Sequence, residues 1–189
     1  MAKEDIVRKF VHIGNIAFEK LVDAAFWNLA GHFKVNFMDL NMEVVLSNIL
    51  THLSEIIGSL HKSYSLKVWK LCFEKVIILY IQCLLNSAGK LKIKTIGELA
   101  DKLVLERDIC KATFKVGHSV MEACIKVIND ILEFFETSAA LTPMSILDLR
   151  KINGPGFNIN QAKALLNLRV DITSSERSEA LNECKQVNN

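Results

Sequence analysis

The sequence predicts an all-α fold, an elongated stack of antiparallel helical bundles with six to seven helices. Three observations support this prediction. The 189-residue chain has only two prolines, and its first 142 residues contain none, whereas proline averages about 5% of residues in ordinary proteins. Apolar residues recur in steps of three and four, which is the period of an amphipathic helix. Half of the residues are hydrophobic, which excludes disorder as the main state.

The first two helices are predicted over residues 3–30 and 41–60. The apolar stripe of the first helix begins at Val7 and closes at Leu29, before Gly31 breaks the pattern. The stripe of the second helix is wide, so we expect other elements to cover it on more than one side.

The third helix is predicted over residues 66–86, with Ser65 as its N-cap and Gly89 just past its end. A capping box formed by Thr95 and Glu98 then opens the fourth helix.

Near-heptad apolar spacing continues from Ile96 to Phe135. It predicts one helix of about 40 residues, roughly 60 Å long at the rise of an α-helix. Gly117 would either kink this helix or admit a close neighbour. Its length favours a rod over a compact globule.

The predicted helices become shorter after Thr137. Three N-caps are predicted here, at Thr142 with Pro143 following it, at Asn158, and at Thr173 with Glu176 completing a second capping box. We expect residues 1–189 to form a single helical domain. It divides into a long-helix bundle over residues 1–138 and a short-helix cap over residues 139–189.

Charge, cysteines and apolar run length limit the classes of function. The formal net charge is +2, so no strong overall field draws the chain to nucleic acid or membrane. Five cysteines without CxxC spacing predict buried thiols in a reducing compartment. The longest apolar run, Val76 to Leu85, is about half the length that a membrane-spanning helix needs. We therefore expect a cytoplasmic protein.

No motif predicts an enzyme, a metal site or a cofactor. The five histidines have neither HExxH spacing nor zinc-finger spacing with the cysteines. The glycines at 154 and 156 lack the Lys-Ser/Thr of a phosphate loop and predict a turn. Glu133 and Glu136 are expected to be solvated carboxylates rather than an acid–base pair.

A basic stretch is the candidate binding surface of the sequence. Residues 61–115 contain 11 basic and 5 acidic side chains. The candidate contacts are Lys90, Lys92, Lys94, Lys102, Arg107, Lys111 and Lys115. They would bind acidic phospholipid head groups at about 1 kcal/mol per lysine. The alternative is a solubilising surface, because acidic residues are interleaved with them. Nucleic acid is not an expected partner, since the stretch lacks interleaved stacking aromatics.

Mean hydropathy is +0.23, which is high for a helical chain without a membrane span. Two explanations remain open. Some apolar stripes stay exposed and mark partner surfaces, or a well-packed bundle uses every stripe internally.

The segment from Ile159 to Glu176 resembles the closing segment of the exocyst complex component 3 family, which includes the tumour necrosis factor-induced paralogues. The matching residues are Ala164, Leu165, Leu166, Leu168, Arg169 and Asp171, whereas Val170 stands where the family prefers glycine. The order of the upstream features is also similar: Tyr80, Leu84-Leu85, a basic loop, Asp130 and Phe134-Phe135. The resemblance covers most of residues 40–183.

The resemblance implies a non-enzymatic rod of stacked helical bundles, of the kind found in tethering complexes. Family members tether secretory vesicles to the plasma membrane, bind other exocyst subunits, and in some cases bind SNARE proteins. The paralogues are linked to acidic phosphoinositides. Family members are several times longer than this chain, so the chain is similar to their C-terminal part only. The expected location is cytoplasmic and peripheral at the plasma membrane. Arg169 and Asp171 are expected to form a structural pair that fixes the turn to the last helix.

Overall fold

The computed structural model describes residues 2–27, 29–91, 95–114, 116–153 and 157–186. Over these ranges the chain forms α-helices, short 3₁₀ turns and no strand, which confirms the all-α prediction. The helices are α1 (Ala2–Trp27), α2 (Met42–Gly58), α3 (Lys62–Ser87), α4 (Ile96–Thr113), α5 (His118–Glu136), α6 (Thr142–Asn153), α7 (Ile159–Leu168) and α8 (Ser174–Gln186). The described residues thus contain eight helices, not six to seven.

The predicted 40-residue helix is wrong, because the chain leaves the helix after Thr113. Phe114 is extended, with φ −88° and ψ 124°, and Gly117 is the N-cap of α5. The Phe114 side chain is only 2% exposed. Its ring lies 5.7 Å from Trp69 and 4.9 Å from Phe73, both on α3. Burial of this one ring against α3 therefore fixes the turn.

Helices α4 and α5 form an antiparallel hairpin instead of a rod. Lys111 on α4 lies 3.4 Å from Glu122 on α5. Nearer the start of α4, Arg107 donates a hydrogen bond of 3.0 Å to Asn129. The apolar stripe is periodic through residue 117 because both arms of the hairpin bury the same kind of face. Periodicity alone gives no sign of the reversal.

Two predicted N-caps are wrong. Helix α3 begins at Lys62, and the Ser65 hydroxyl donates to the Ile57 carbonyl at 3.1 Å instead of capping. Thr142 has helical dihedrals, φ −56° and ψ −41°, because a 3₁₀ turn over residues 139–141 runs directly into α6. Its hydroxyl donates to the Ser138 carbonyl at 3.2 Å.

The other three predicted caps are confirmed. The Thr95 hydroxyl accepts from the Glu98 amide at 3.3 Å. Asn158 caps α7, and Gln161 completes a capping box there. Before α8, the Thr173 amide donates to the Glu176 carboxylate at 2.6 Å, and the Glu176 amide donates to the Thr173 hydroxyl at 3.2 Å.

Buried apolar residues from all eight helices belong to one contiguous core. Helix α3 supplies the largest share, including Phe73, Val76 and Leu84, which are fully buried. The core also runs across residue 138, since α5 packs against α6.

Arg169 joins the end of α5 to the turn between α7 and α8. Its guanidinium is 1% exposed and donates to the Phe134 and Thr137 carbonyls, both at 2.7 Å. It also donates to both carboxylate oxygens of Asp171, at 2.8 and 2.7 Å. The last carbonyls of a helix have no partner within the helix, so a buried arginine there satisfies groups that are otherwise unpaired. The predicted structural pair of Arg169 and Asp171 is confirmed. In addition to the turn between α7 and α8, Arg169 also holds the end of α5.

We expect Arg169→Ala to lower the free energy of unfolding by about 3 kcal/mol, because two carbonyls then lose their buried donor. Asp171 is 42% exposed. Asp171→Asn is therefore expected to cost less, about 1–2 kcal/mol, because the buried guanidinium loses its counter-charge but keeps its two carbonyl partners. Urea unfolding of both variants tests this order, and similar losses in the two would contradict it.

A pH dependence follows from the same pair. Hydrogen bonds from Arg169 lower the pKa of Asp171 below its ordinary value of 3.8. Because the folded-state pKa is the lower one, this stabilisation is present above about pH 4 and is lost as the pH falls through the folded-state value. We expect the unfolding free energy of Asp171→Asn to fall less steeply than that of the wild type between about pH 5 and pH 2. Chemical denaturation across this range measures both slopes, and equal slopes would count against the pairing.

Candidate functional site

The predicted basic surface is only partly within the described residues. Lys92, Lys94 and Lys115 lie outside them. Lys90 is exposed on the 3₁₀ turn after α3. The three other predicted cations lie on α4, and each of them is engaged with another element or residue.

Lys102 is an internal cation. Its ammonium donates to the Leu40 carbonyl at 2.7 Å and to Glu106 at 2.8 Å, and it lies 5.6 Å from the centre of the Phe37 ring. The Lys102 side chain is 16% exposed and that of Glu106 is 5% exposed. The same Glu106 oxygen accepts from the Met42 amide at 3.4 Å. This pair therefore ties α4 to the segment that enters α2, and Lys102 is held away from a lipid head group.

Arg107 and Lys111 face α5. Arg107 donates to Asp108 and to Asn129, each at 3.0 Å, and Lys111 pairs with Glu122. Their charges are thus partly neutralised by neighbours. The described residues do not bring the predicted cations together as one exposed basic patch.

Among the described residues, the histidines lie at the surface and the cysteines lie mostly in the core. All five histidines are exposed. Within the described ranges, no group of three His, Cys, Asp or Glu side chains is placed to hold a metal ion. Glu133 and Glu136 are exposed, as predicted. Burial raises the pKa of Cys72 and of Cys110 to about 12, so both thiols stay protonated at neutral pH.

One buried polar cluster was not predicted from the sequence. Tyr80 is fully buried, and burial, followed by the nearby Glu106 carboxylate, raises its pKa well above 10. Both side chains are buried, with Tyr80 1% and Glu106 4% exposed. Tyr80 and Glu106 each lie on the apolar stripe of a different helix. The sequence therefore gives no sign that they meet.

An apolar groove of about 600 Å³ lies between α3, α5 and α7. Its walls are Ile77, Ile78, Ile81 and Leu85 from α3, Ala123, Cys124 and Val127 from α5, and Phe157 before α7. Glu74, Gln82 and Gln161 complete the lining. We call this cleft the α3–α5–α7 groove.

Among the large apolar side chains that line this groove, Ile78 is the exposed one. It is 53% exposed, whereas Ile77 and Ile81 on either side are buried. Cys124 is half-buried on the opposite wall, and burial raises the pKa of its thiol, so it adds apolar surface rather than a nucleophile. The stripe of α3 places Ile77 and Ile81 in the core, but only the position of α5 and α7 leaves Ile78 at an open cleft.

A second apolar surface covers the first half of α1. Ile6, Val7, Phe10, Val11 and Ile13 are all more than half exposed. Of the two explanations for the high mean hydropathy, the structure therefore favours open apolar surfaces over a bundle that uses every stripe.

We expect Lys102→Met to lower the unfolding free energy by about 3 kcal/mol, because Glu106 then becomes a buried charge without its cation. Lys90→Met is expected to change it by less than about 0.5 kcal/mol, as for other exposed positions. Adding Glu106→Gln to Lys102→Met removes the buried charge and should restore part of the loss. Urea unfolding measures the unfolding free energy of all three variants. A Lys102→Met variant as stable as the wild type would contradict the internal pair and would make Lys102 a surface cation again.

None of the helices in the described part of the chain is long and apolar enough to cross a membrane. No protein-family model, curated protein or solved structure matches the sequence or the structure of this chain.

Proposed function

We propose that this chain is a non-enzymatic helical scaffold that binds an amphipathic helix of a partner protein in the α3–α5–α7 groove. In this proposal it acts in exocytic vesicle tethering, as part of an elongated stack of antiparallel bundles. Its partners are exocyst subunits and SNARE proteins, and its place is cytoplasmic, at the periphery of the plasma membrane.

The shape and chemistry of the groove support this proposal. Its apolar wall on α3 extends from Ile77 to Leu85, which is about 12 Å or two turns of a helix. Apolar anchors on one face of a partner helix, spaced three and four residues apart, match such a length. Glu74 and Gln82 at the rim offer polar contacts for the edges of that helix. The walls belong to packed helices, so little ordering is needed on binding.

The choice of exocytic partners comes from the resemblance to the exocyst complex component 3 family, which covers most of residues 40–183. Several of its matching residues have structural roles. Leu165, Leu166 and Leu168 are buried, and Arg169 bonds to the end of α5. Residues with such roles would be shared by proteins of the same architecture.

The alternative is a peripheral membrane module that binds acidic phospholipids around residues 90–115. Lys90 is exposed and supports it. Lys102 and Lys111 weigh against it, since both pair with carboxylates. The protein-docking proposal is therefore the better supported of the two.

The test is a pull-down from cytosol with the tagged chain, with the captured proteins identified by mass spectrometry. We expect exocyst subunits or SNARE proteins to be recovered at about 150 mM and also at about 500 mM salt, because apolar docking is not screened. Ile78→Glu places a charge in the groove and is expected to reduce recovery about tenfold or more. Its 53% exposure means that the fold should tolerate the change.

The matched control is Leu105→Glu, which alters an exposed apolar residue on α4, 63% exposed, that does not line the groove. This variant should recover the same proteins as the wild type. Binding to acidic vesicles at low salt only, with neither partner class recovered, would overturn the docking proposal and favour the membrane alternative. Equal losses in both variants would show that the groove is not the site.

A further inference from the structure

The first half of α1 buries little surface against its own chain. Every residue from 4 to 13 is exposed. Further along, Asn15 bonds to Lys67, and Asp23 pairs with Lys75 at 3.1 Å. Both pairs are 52 residues apart, so α1 and α3 run parallel in a fixed register. By this register, residue 10 lies beside the first residue of α3, and the residues before it extend past the body.

This overhang has one apolar face. At 100° per residue, Ile6, Val7, Phe10, Val11 and Ile13 fall within an arc of about 160°. The opposite arc carries Glu4, Asp5, Arg8, Lys9 and His12. The apolar arc continues the face that Phe18, Leu21 and Val22 pack against the body. The overhang thus extends a core-facing stripe beyond the end of the core.

Local preferences do not explain why these residues are helical. Four of the five apolar residues are β-branched and have modest helix propensity. Isolated helices shorter than about 12–15 residues are marginal in water, and helices in proteins are stabilised chiefly by packing of their apolar face. Covering this apolar face with another surface would therefore stabilise the overhang.

We propose that a second copy of this chain covers it, so that two α1 overhangs pack together in a symmetric dimer. The charges favour a like partner. Residues 4–13 contain two acidic and two basic side chains, so two copies meet without net repulsion. A lipid surface would favour a basic polar face instead, and this face is balanced.

The apolar area is also appropriate for a weak dimer. The five exposed side chains form an apolar patch of roughly 400–500 Å² on each copy. This is about as large as the largest apolar patch on an ordinary monomer. Two such faces bury about 1,000 Å² with their edges, near the lower limit for a specific interface. Phe10 lies at the centre, and next to it Gly14 has nothing within 4 Å of the position that a Cβ would take. The absent side chain lets a second helix approach closely.

An antiparallel arrangement suits this pair. In a parallel pair, the acidic first turn of each helix would lie beside that of the other, and the basic second turns would do the same. Antiparallel packing separates these like charges and opposes the helix dipoles.

Sedimentation equilibrium over about 1–200 µM tests the dimer with the full chain. We expect the wild type to dimerise within this range and Phe10→Glu to weaken the dimer at least about tenfold, since it places a charge at the centre of the face. The control His12→Glu, on the polar arc of the same helix, should change dimerisation by less than about twofold. Both residues are exposed in the monomer, so unfolding midpoints measured well below the dimerisation range should stay the same.

A wild type that remains monomeric over the whole range would overturn the inference, as would a Phe10→Glu variant that dimerises normally. The Ile78→Glu variant of the groove should dimerise like the wild type. If it does not, the copies meet through the groove and the α1 proposal is wrong. This result is independent of partner recovery in the pull-down, so the two proposals fail separately.

Discussion

The burial of Phe114 is the constraint on which the remaining architecture depends. Its ring is enclosed by Trp69 and Phe73 of α3, and this requires the chain to leave the helical path after Thr113. The consequence is the α4–α5 hairpin. Without it, α5 would continue away from α3 and the core would lose Ile125 and Ile128, which are fully buried. One aromatic contact with α3 thus decides between a rod and a bundle.

Arg169 extends this constraint to the C-terminal helices. Once α5 is placed by the turn at Phe114, its last carbonyls provide a fixed site for the guanidinium. Arg177 then bonds to the Arg169 and Ile172 carbonyls at 2.8 and 3.0 Å and ties α8 to the same turn. Helix α7 is held against α3 as a result, and its N-terminal end closes the groove with Phe157 and Gln161. The shape of the groove therefore depends on the turn at Phe114 and on the contacts of Arg169. Contacts among the residues that line the groove are not what sets it.

The sequence predicts features that depend on residues close together in the chain. It does not predict features that depend on contacts between distant segments. The all-α class, the caps at Thr95, Asn158 and Thr173, and the pairing of Arg169 with Asp171 follow from spacing and side-chain chemistry over a few residues. The break after Thr113 does not, because Phe114 fits the apolar period of a helix as well as it fits the pocket on α3. Ser65 and Thr142 have the chemistry of N-caps, yet neighbouring turns extend the helices past them.

The candidate site shows the same limit. Lys102 belongs to a basic stretch by sequence, and only the arrival of Leu40 and Phe37 from another segment makes it internal. The groove is likewise invisible along the chain, since Ile78 differs from Ile77 and Ile81 only in what lies opposite. The binding surface of a helical protein depends on which apolar residues stay exposed after the helices pack. That exposure can be read only from the assembled helices.

The two open apolar surfaces differ in the cost of covering them. The α3–α5–α7 groove lies between helices that the core already holds, so a partner helix loses its own freedom but the groove loses little. The α1 overhang is exposed at every position from residue 4 to residue 13. Any partner must stabilise its helix as well as cover it, which reduces the net affinity obtained from a given area. The groove is consequently suited to durable docking, whereas the overhang is suited to a reversible contact that responds to local concentration.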